Sequence, residues 1–401
     1  MAEQSFKYAV VGGGLAGASA VEGIRELDRD GPIVLICGER HLPYNRPPLS
    51  KMLWMGGMEV DEIFVQEKDY YIKNGVTLVL GTKVTGLDAG AKELTDDKGK
   101  TYGYEKLLLA TGSAPRTLNI PGGGLAGISY FRGLDDYSEI RAKASEGKAA
   151  VVIGGGFIGS EMAAALNLNK LHVTMMFPSS YICHRVFPDY LGREIQTRYV
   201  EKGVNVLSGE TPVSISRDGE GYITTTSKGR EMESDIIIVG VGVQPNIELA
   251  AKAGLAIADG IEVDEYLRTG DPDIYAAGDN VFYPSKALGH RMRLEHWDNA
   301  RSQGKHAGRN MAGAGEPFTY LPFFFSDLFE FSYEAVGDVD ANLNTFADWQ
   351  VENETGVIYY LLENKVKGAM MCNMPDLVDQ ARELIIRDEK VDPKGLKGAV
   401  K

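Results

Sequence analysis

At a typical ~150 residues per domain, a chain of 401 residues divides into two or three domains. Its 44% hydrophobic and 24% charged residues match soluble globular domains and exclude extensive disorder. The net charge of −14 disfavours non-specific binding to nucleic acid or anionic lipid.

Glycine is in surplus, with 48 residues where ~7% is usual. The first cluster follows a short apolar run, Tyr8-Ala9-Val10-Val11, and reads Gly12-Gly13-Gly14-Leu15-Ala16-Gly17 before a helix-compatible stretch from Ala18 to Leu27. Strand, G-x-G-x-x-G and helix form a dinucleotide-binding fingerprint: Gly12 permits the tight turn, Gly14 the approach of a pyrophosphate, and Gly17 close helix–strand packing. Phosphate would rest on the helix N-terminus, beside Ala16 and Gly17, where free N–H groups and the dipole favour negative charge. A second strand, Ile33-Val34-Leu35-Ile36, leads to Glu39, where a ribose-binding carboxylate belongs. Val21 stands where a smaller residue is usual.

The cysteines, Cys37, Cys183 and Cys372, are far apart and form no C-x-x-C pair, so no disulfide framework is expected and a reducing cytoplasm is the simplest setting. No leader is expected at the N-terminus, and the longest apolar stretch, Ile236 to Val243, is far short of the ~18 residues of a membrane span.

The fingerprint recurs 154 − 12 = 142 residues later. Ala149 to Ile153 leads into Gly154-Gly155-Gly156-Phe157-Ile158-Gly159, with Glu161 and Ala163 on the helix that follows. Two dinucleotide-binding units imply two nucleotides that meet, and hydride transfer from nicotinamide to flavin is the usual reason. The strand after the second motif, His172 to Phe177, should end in an acid for NADH selectivity. It runs instead into Pro178-Ser179-Ser180, so Ser179 and Arg185, with Ser180 and His184, are candidates to accept a 2′-phosphate, and NADH and NADPH both stay open.

Three further segments carry a resemblance to a known family. They are Leu108-Leu109-Ala110-Thr111-Gly112-Ser113-Ala114-Pro115-Arg116, then Val239-Gly240-Val241-Gly242-Val243-Gln244-Pro245-Asn246, and Ile274-Tyr275-Ala276-Ala277-Gly278-Asp279. In this order they resemble the FAD-dependent pyridine nucleotide oxidoreductases. The resemblance implies a glutathione-reductase-like α/β fold: two Rossmann-like domains and a C-terminal α+β domain. An FAD domain would comprise residues 1–116 and 246–320, an NAD(P)H domain residues 117–245, and the C-terminal domain residues 321–401. Thr111, Gly112 and Arg116 would mark the outward crossing and Gly242 the return. Gly278 and Asp279 would form the second FAD fingerprint, with Asp279 accepting a hydrogen bond from the ribityl chain.

Where disulfide reductases of this superfamily carry two redox cysteines, this chain has Leu42-Pro43-Tyr44-Asn45-Arg46-Pro47-Pro48-Leu49-Ser50-Lys51. The R-P-P-L-S-K string is similar to that of oxygenase-type ferredoxin and rubredoxin reductases and of apoptosis-inducing factor. The resemblance implies that Arg46 and Pro47 line the cofactor, and that Lys51 lies beside flavin N5 and pairs with Glu161. Glu295, His296 and Asp298 match the apoptosis-inducing factors, whereas Trp297 matches the aromatic residue that oxygenase-type reductases place near the isoalloxazine. Phe325 replaces the tryptophan of a W-S-D motif that opens the C-terminal domain. Strands follow at Glu334–Asp338, Gly356–Leu361 and Lys365–Met371, then an amphipathic helix from Leu377 to Arg387. His290, His296 and His306 do not share one helix face, so no metal site is expected.

The function these readings imply is that of an FAD-containing NAD(P)H oxidoreductase delivering electrons to a ferredoxin- or rubredoxin-type protein. An acidic ferredoxin would dock on the basic run from Arg291 to Arg309. Two other readings stay open: a redox sensor like apoptosis-inducing factor whose main role is partner binding, and a reductase of a quinone or ascorbyl radical. Nucleic acid is not an expected partner; a homodimer is compatible with the sequence.

Overall fold

The computed structural model describes residues 3–401. They form two compact units, residues 3–45 with Val60–Ala114 and Pro245–Pro322, and Arg46–Glu59 with Pro115–Gln244 and Phe323–Lys401.

The first unit is built on a seven-stranded sheet. Gln4–Val11 pairs in parallel with Ile33–Ile36 on one side (Val11 opposite Ile36) and Thr101–Leu109 on the other (Val11 opposite Leu109). All four residues of Ile33–Ile36 are buried, as expected of a strand covered on both faces. Val76–Val79 continues the sheet beyond it, and Ile274–Ala276 pairs with the end of Thr101–Leu109. The antiparallel strands Val84–Asp88 and Glu93–Asp96 extend from its start.

The helices Leu15–Leu27 and Trp297–Met311 pack backbone to backbone. A Cβ on Gly23 would meet the Lys305 carbonyl oxygen at 2.0 Å, one on Gly304 the Ala16 oxygen at 2.2 Å, and one on Gly308 the Ala20 oxygen at 2.2 Å. Part of the glycine surplus therefore serves helix packing rather than nucleotide turns.

In the second unit a five-stranded parallel sheet runs Asn205–Ser208, His172–Phe177, Ala149–Ile153, Ile236–Val239 and Ile128–Tyr130. A three-stranded antiparallel ribbon, Pro212–Asp218, Gly221–Thr226 and Glu231–Ser234, follows the last helix of this half. Residues 323–401 add a five-stranded antiparallel sheet in the order Phe323–Leu328, Phe331–Gly337, Lys365–Cys372, Thr355–Leu362 and Asn344–Val351, with the helix Val378–Arg387. The expected strands and helix are present; the two edge strands, Phe323–Leu328 and Asn344–Val351, are not among those expected, and the second gives little sequence signal. Its NTFADWQV sequence mixes polar and apolar residues without a clear period of two.

Gly→Ala in a helix ordinarily stabilises by ~1 kcal/mol. For Gly308→Ala the contact with Ala20 reverses the sign, and a loss of ~1–3 kcal/mol is expected from overpacking. Chemical denaturation of the variant checks this.

Candidate functional site

In the first unit the glycine turn has the geometry its fingerprint requires. Gly12 adopts φ +126°, and a Cβ there would lie 2.0 Å from the Ala110 oxygen. A Cβ on Gly17 would meet the Gly12 oxygen at 2.0 Å, whereas nothing lies within 4 Å of one on Gly14. Gly14 also caps the helix without any side-chain cap, so the first-turn N–H groups face an open approach.

Around this turn the other expected residues assemble. Glu39, exposed, accepts the Tyr44 hydroxyl at 2.6 Å. Thr111 donates to the Asn246 carbonyl at 2.6 Å, and the Asn246 N–H donates to the Gly112 carbonyl at 2.9 Å. Buried Asp279 accepts Ser113 Oγ at 2.7 Å, while Gly278, next to Ala16, donates to Gln303 Oε1 at 2.9 Å. Asn280 Oδ1, Asn299 Oδ1 and Gln303 Nε2 are buried without a protein partner. Unobstructed helix-start amides with unpaired polar atoms nearby fit a dinucleotide.

Trp297 opens its helix and donates from Nε1 to Asn45 Oδ1 at 2.7 Å; the Arg301 guanidinium lies over its ring at 5.4 Å. Glu295 is exposed and pairs with Arg293. His296 keeps some accessible surface, but the dense packing around its ring pushes its pKa down to about 4.

The second unit repeats the turn. Gly154 adopts φ +129°, a Cβ on Gly159 would meet the Gly154 oxygen at 2.1 Å, and nothing lies within 4 Å of one on Gly156. Ile158 is 38% exposed in the first helical turn. The hydrogen bonds align the two halves residue by residue: Gly12 N–H to Ile36 oxygen matches Gly154 N–H to Met176 oxygen, and Gly81 N–H to Glu39 oxygen matches Gly209 N–H to Ser179 oxygen. Ser179 therefore occupies the place of Glu39, and its hydroxyl donates to the Tyr181 carbonyl at 3.0 Å. Arg185 is exposed, Arg116 donates to the Val243 carbonyl at 3.1 Å, and its N–H bonds the Gly242 carbonyl at 2.9 Å. Arg46 donates to the Arg132 carbonyl at 2.6 Å, and Pro47 starts the turn that ends before Lys51.

Lys51 and Glu161 meet in this unit. Lys51 Nζ lies 2.5 Å from Glu161 Oε1, with side-chain exposures of 9% and 4%. The same carboxylate accepts Ser326 Oγ on Oε1 and Ser50 Oγ on Oε2, both at 2.5 Å. The ammonium stands 5.5 Å from the centre of the Phe325 ring. Ser50, Ser326, Tyr44, Asn45 and Ser113 are not singled out by the sequence, although all five lie inside the quoted motifs, Ser50 and Ser326 one residue from Lys51 and Phe325.

All three cysteines are free and buried. Burial pushes Cys37 and Cys183 up to about 12 and Cys372 higher, so none presents a thiolate at neutral pH. Among the described residues no helix is long and apolar enough to cross a membrane.

The sequence profile of the pyridine nucleotide-disulphide oxidoreductases matches residues 6–304, and that of the C-terminal region of mitochondrion-associated apoptosis-inducing factor matches residues 307–355. The chain belongs to the pyridine nucleotide-disulphide oxidoreductase family and is an oxidoreductase using FAD and NAD(P)H. It is 33% identical to the ferredoxin–NAD(+) reductase component of the anthranilate 1,2-dioxygenase system of Burkholderia cepacia, over 97% of this chain and 96% of that protein. It is 34% identical to apoptosis-inducing factor 1 of Dictyostelium discoideum, over 97% and 80% respectively. Among solved structures it is similar to a covalent putidaredoxin reductase–putidaredoxin complex, with a TM-score of 0.91 at 27% identity, covering 99% of this chain and 96% of that one.

The buried groups set two expectations for stability. Removing one partner of the pair, as in Lys51→Met or Glu161→Gln, should destabilise by ~3–5 kcal/mol, and the double replacement by less than either single one; urea unfolding reads this. His296 has a folded-state pKa below its ordinary 6.5, so protonation favours the unfolded chain. Its contribution is complete above pH 6.5 and is lost as pH falls toward 4, and His296→Gln should flatten the acid limb of the stability curve over that window.

Proposed function

We propose that this chain passes electrons from NAD(P)H to a small iron–sulfur protein of the ferredoxin type. In this reading, residues 1–116 and 246–320 hold FAD, residues 117–245 hold NAD(P)H, and residues 321–401 complete the site from the C-terminal side. The observation that carries it is a buried ammonium, Lys51, fixed by Glu161 in a chain that has two glycine turns of the same nucleotide-accepting geometry. FAD, when bound, supplies a centre that takes hydride from the reduced nicotinamide and gives up its electrons singly.

The chain's own residues would do the following. The turn at Gly12, Gly14 and Gly17 accepts the FAD pyrophosphate, Glu39 the adenosine ribose, and Asp279 the ribityl hydroxyls. The turn at Gly154, Gly156 and Gly159 accepts the pyrophosphate of NAD(P)H. Lys51 holds a positive charge where reduction builds negative charge, and Glu161 keeps that charge in place. Trp297, fixed by Asn45, offers an aromatic face to the ring system.

The 33% identity to a ferredoxin–NAD(+) reductase component over 97% of the chain supports an iron–sulfur acceptor. The basic run is narrower than its sequence suggested. Arg293 pairs with Asp259 and Glu295, Lys305 with Glu26, and Arg309 with Glu26 and Glu316. Arg291, held by the Val263 and Phe282 carbonyls, and Arg301, over Trp297, are the cations we assign to docking an acidic partner. The buried thiols suit a reducing cytoplasm.

A second reading, a partner-binding redox sensor, is favoured by the apoptosis-inducing-factor profile over residues 307–355. Stopped-flow mixing with NADH separates the two. Fast loss of the oxidised flavin bands and rapid turnover with a ferredoxin support the reductase. Slow reduction followed by a long-lived, air-stable complex supports the sensor, and a colourless protein that binds no FAD would sink both. With serine in the place of Glu39, NADH and NADPH should both serve as donors. Ser179→Glu should lower kcat/KM for NADPH by ~10–100-fold, leaving NADH little changed.

A further inference from the structure

We infer that Ser50 and Ser326 are positioning residues, which hold the Glu161 carboxylate in the orientation that fixes the Lys51 ammonium. The inference rests on the reading above in which Lys51 acts at the flavin. Four side chains make the cluster, and all are nearly sealed from solvent: residue exposures are 7% for Lys51, 4% for Glu161, 3% for Ser50 and 1% for Ser326.

The direction of each hydrogen bond follows from the chemistry of the groups. Lys51 has only donors to offer, so the two hydroxyls that reach the carboxylate are donors as well. Ser326 Oγ and Lys51 Nζ share Oε1, and Ser50 Oγ takes Oε2. Without the serines, Lys51 would face a carboxylate with one oxygen unpaired in a buried site. Such an oxygen is costly to leave unpaired and lets the carboxylate turn away from Lys51. The two hydroxyls engage both oxygens, which fixes the carboxylate plane and hence the side from which Lys51 is held. Only a charged Lys51 gains from the Phe325 ring 5.5 Å away. Ser50 reaches the carboxylate from the turn beside Lys51 and Ser326 from the strand Phe323–Leu328, so the two restraints are independent.

The test uses the FAD-loaded protein. Ser326→Ala and Ser50→Ala are compared with the parent for flavin reduction by NADH across about pH 6 to 10, for the midpoint potential of the bound FAD, and for NADH affinity. We expect reduction about tenfold slower, as for loss of a hydrogen bond to a charged group, together with a lower potential. FAD content and NADH affinity should not change. In a Lys51→Ala background neither serine replacement should slow reduction further, and Ser326→Thr, which keeps the hydroxyl, should retain the parent profile. Unchanged potential and reduction rate in both alanine variants would overturn the inference, as would an undiminished effect in the Lys51→Ala background. Should Ser326→Ala fail to fold, Ser50→Ala, acting on the other oxygen, decides alone. A Lys51→Ala protein that reduces at the parent rate is a different result, removing the role given to Lys51 itself.

Discussion

A buried ammonium ion must be compensated where it sits, and much of the second unit is arranged around that requirement. The cost of desolvating Lys51 and Glu161 is several kcal/mol per ion, which one contact between them repays only with good geometry and further hydrogen bonds. The compensation comes from three stretches far apart in sequence: the turn Pro47–Ser50 with Lys51, the helix Phe157–Leu168, and the strand Phe323–Leu328. This is why residues 46–59, which interrupt the first unit, belong to the second. Their fixing is more than the ion pair alone. Trp54 Nε1 donates to the Leu49 carbonyl at 2.8 Å, Tyr137 donates to the Leu53 carbonyl at 3.2 Å, and Asn169 donates to the Trp54 carbonyl at 3.0 Å. The side chains around Lys51 thus stand on a frame that hydrogen-bonds its own short segment.

What could be read from the sequence follows the range of the interaction. The residues that define each glycine turn lie within six positions of one another, although Gly12 and Gly154 also press on the distant backbone at Ala110 and Gly240, and both turns have the expected geometry. The 110-residue separation of Lys51 and Glu161 hides their contact from any local pattern; only likeness to a family put them together. Ser50 and Ser326 stayed unread for a related reason. A serine beside a lysine or a phenylalanine looks like an ordinary polar surface residue until the fold shows which acceptor it meets. The basic run from Arg291 to Arg309 erred in the opposite sense, since counting cations along the chain ignored Glu26, Asp259 and Glu316, which come from elsewhere and neutralise three of them.

Glycine illustrates the same limit. Its excess pointed to nucleotide turns, yet Gly23, Gly304 and Gly308 serve packing instead, letting two helices touch along their backbones. A spacing of four within the helix Trp297–Met311 puts Gly304 and Gly308 on one face, which a helical reading of that segment could have revealed.

The glycine turn repeated in two units leaves a few matched positions at which the two differ. In the first unit the strand end carries exposed Glu39, and the neighbouring strand is followed by Thr82, whose Oγ accepts Lys98 at 2.9 Å. The matching positions in the second unit are Ser179 and Glu210, because Thr82 N–H bonds the Cys37 oxygen just as Glu210 N–H bonds that of Phe177. Both units have one carboxylate and one hydroxyl at these places, exchanged between adjacent strands. Glu210, 2% exposed, is met by Arg230 at 3.1 Å and Lys228 at 3.6 Å, so its charge is spent inside the protein. Glu39 stays at the surface, where it accepts the Tyr44 hydroxyl. The carboxylate is thus moved by one strand: in the first unit it faces solvent, and in the second a hydroxyl takes that place while the carboxylate is buried against two cations.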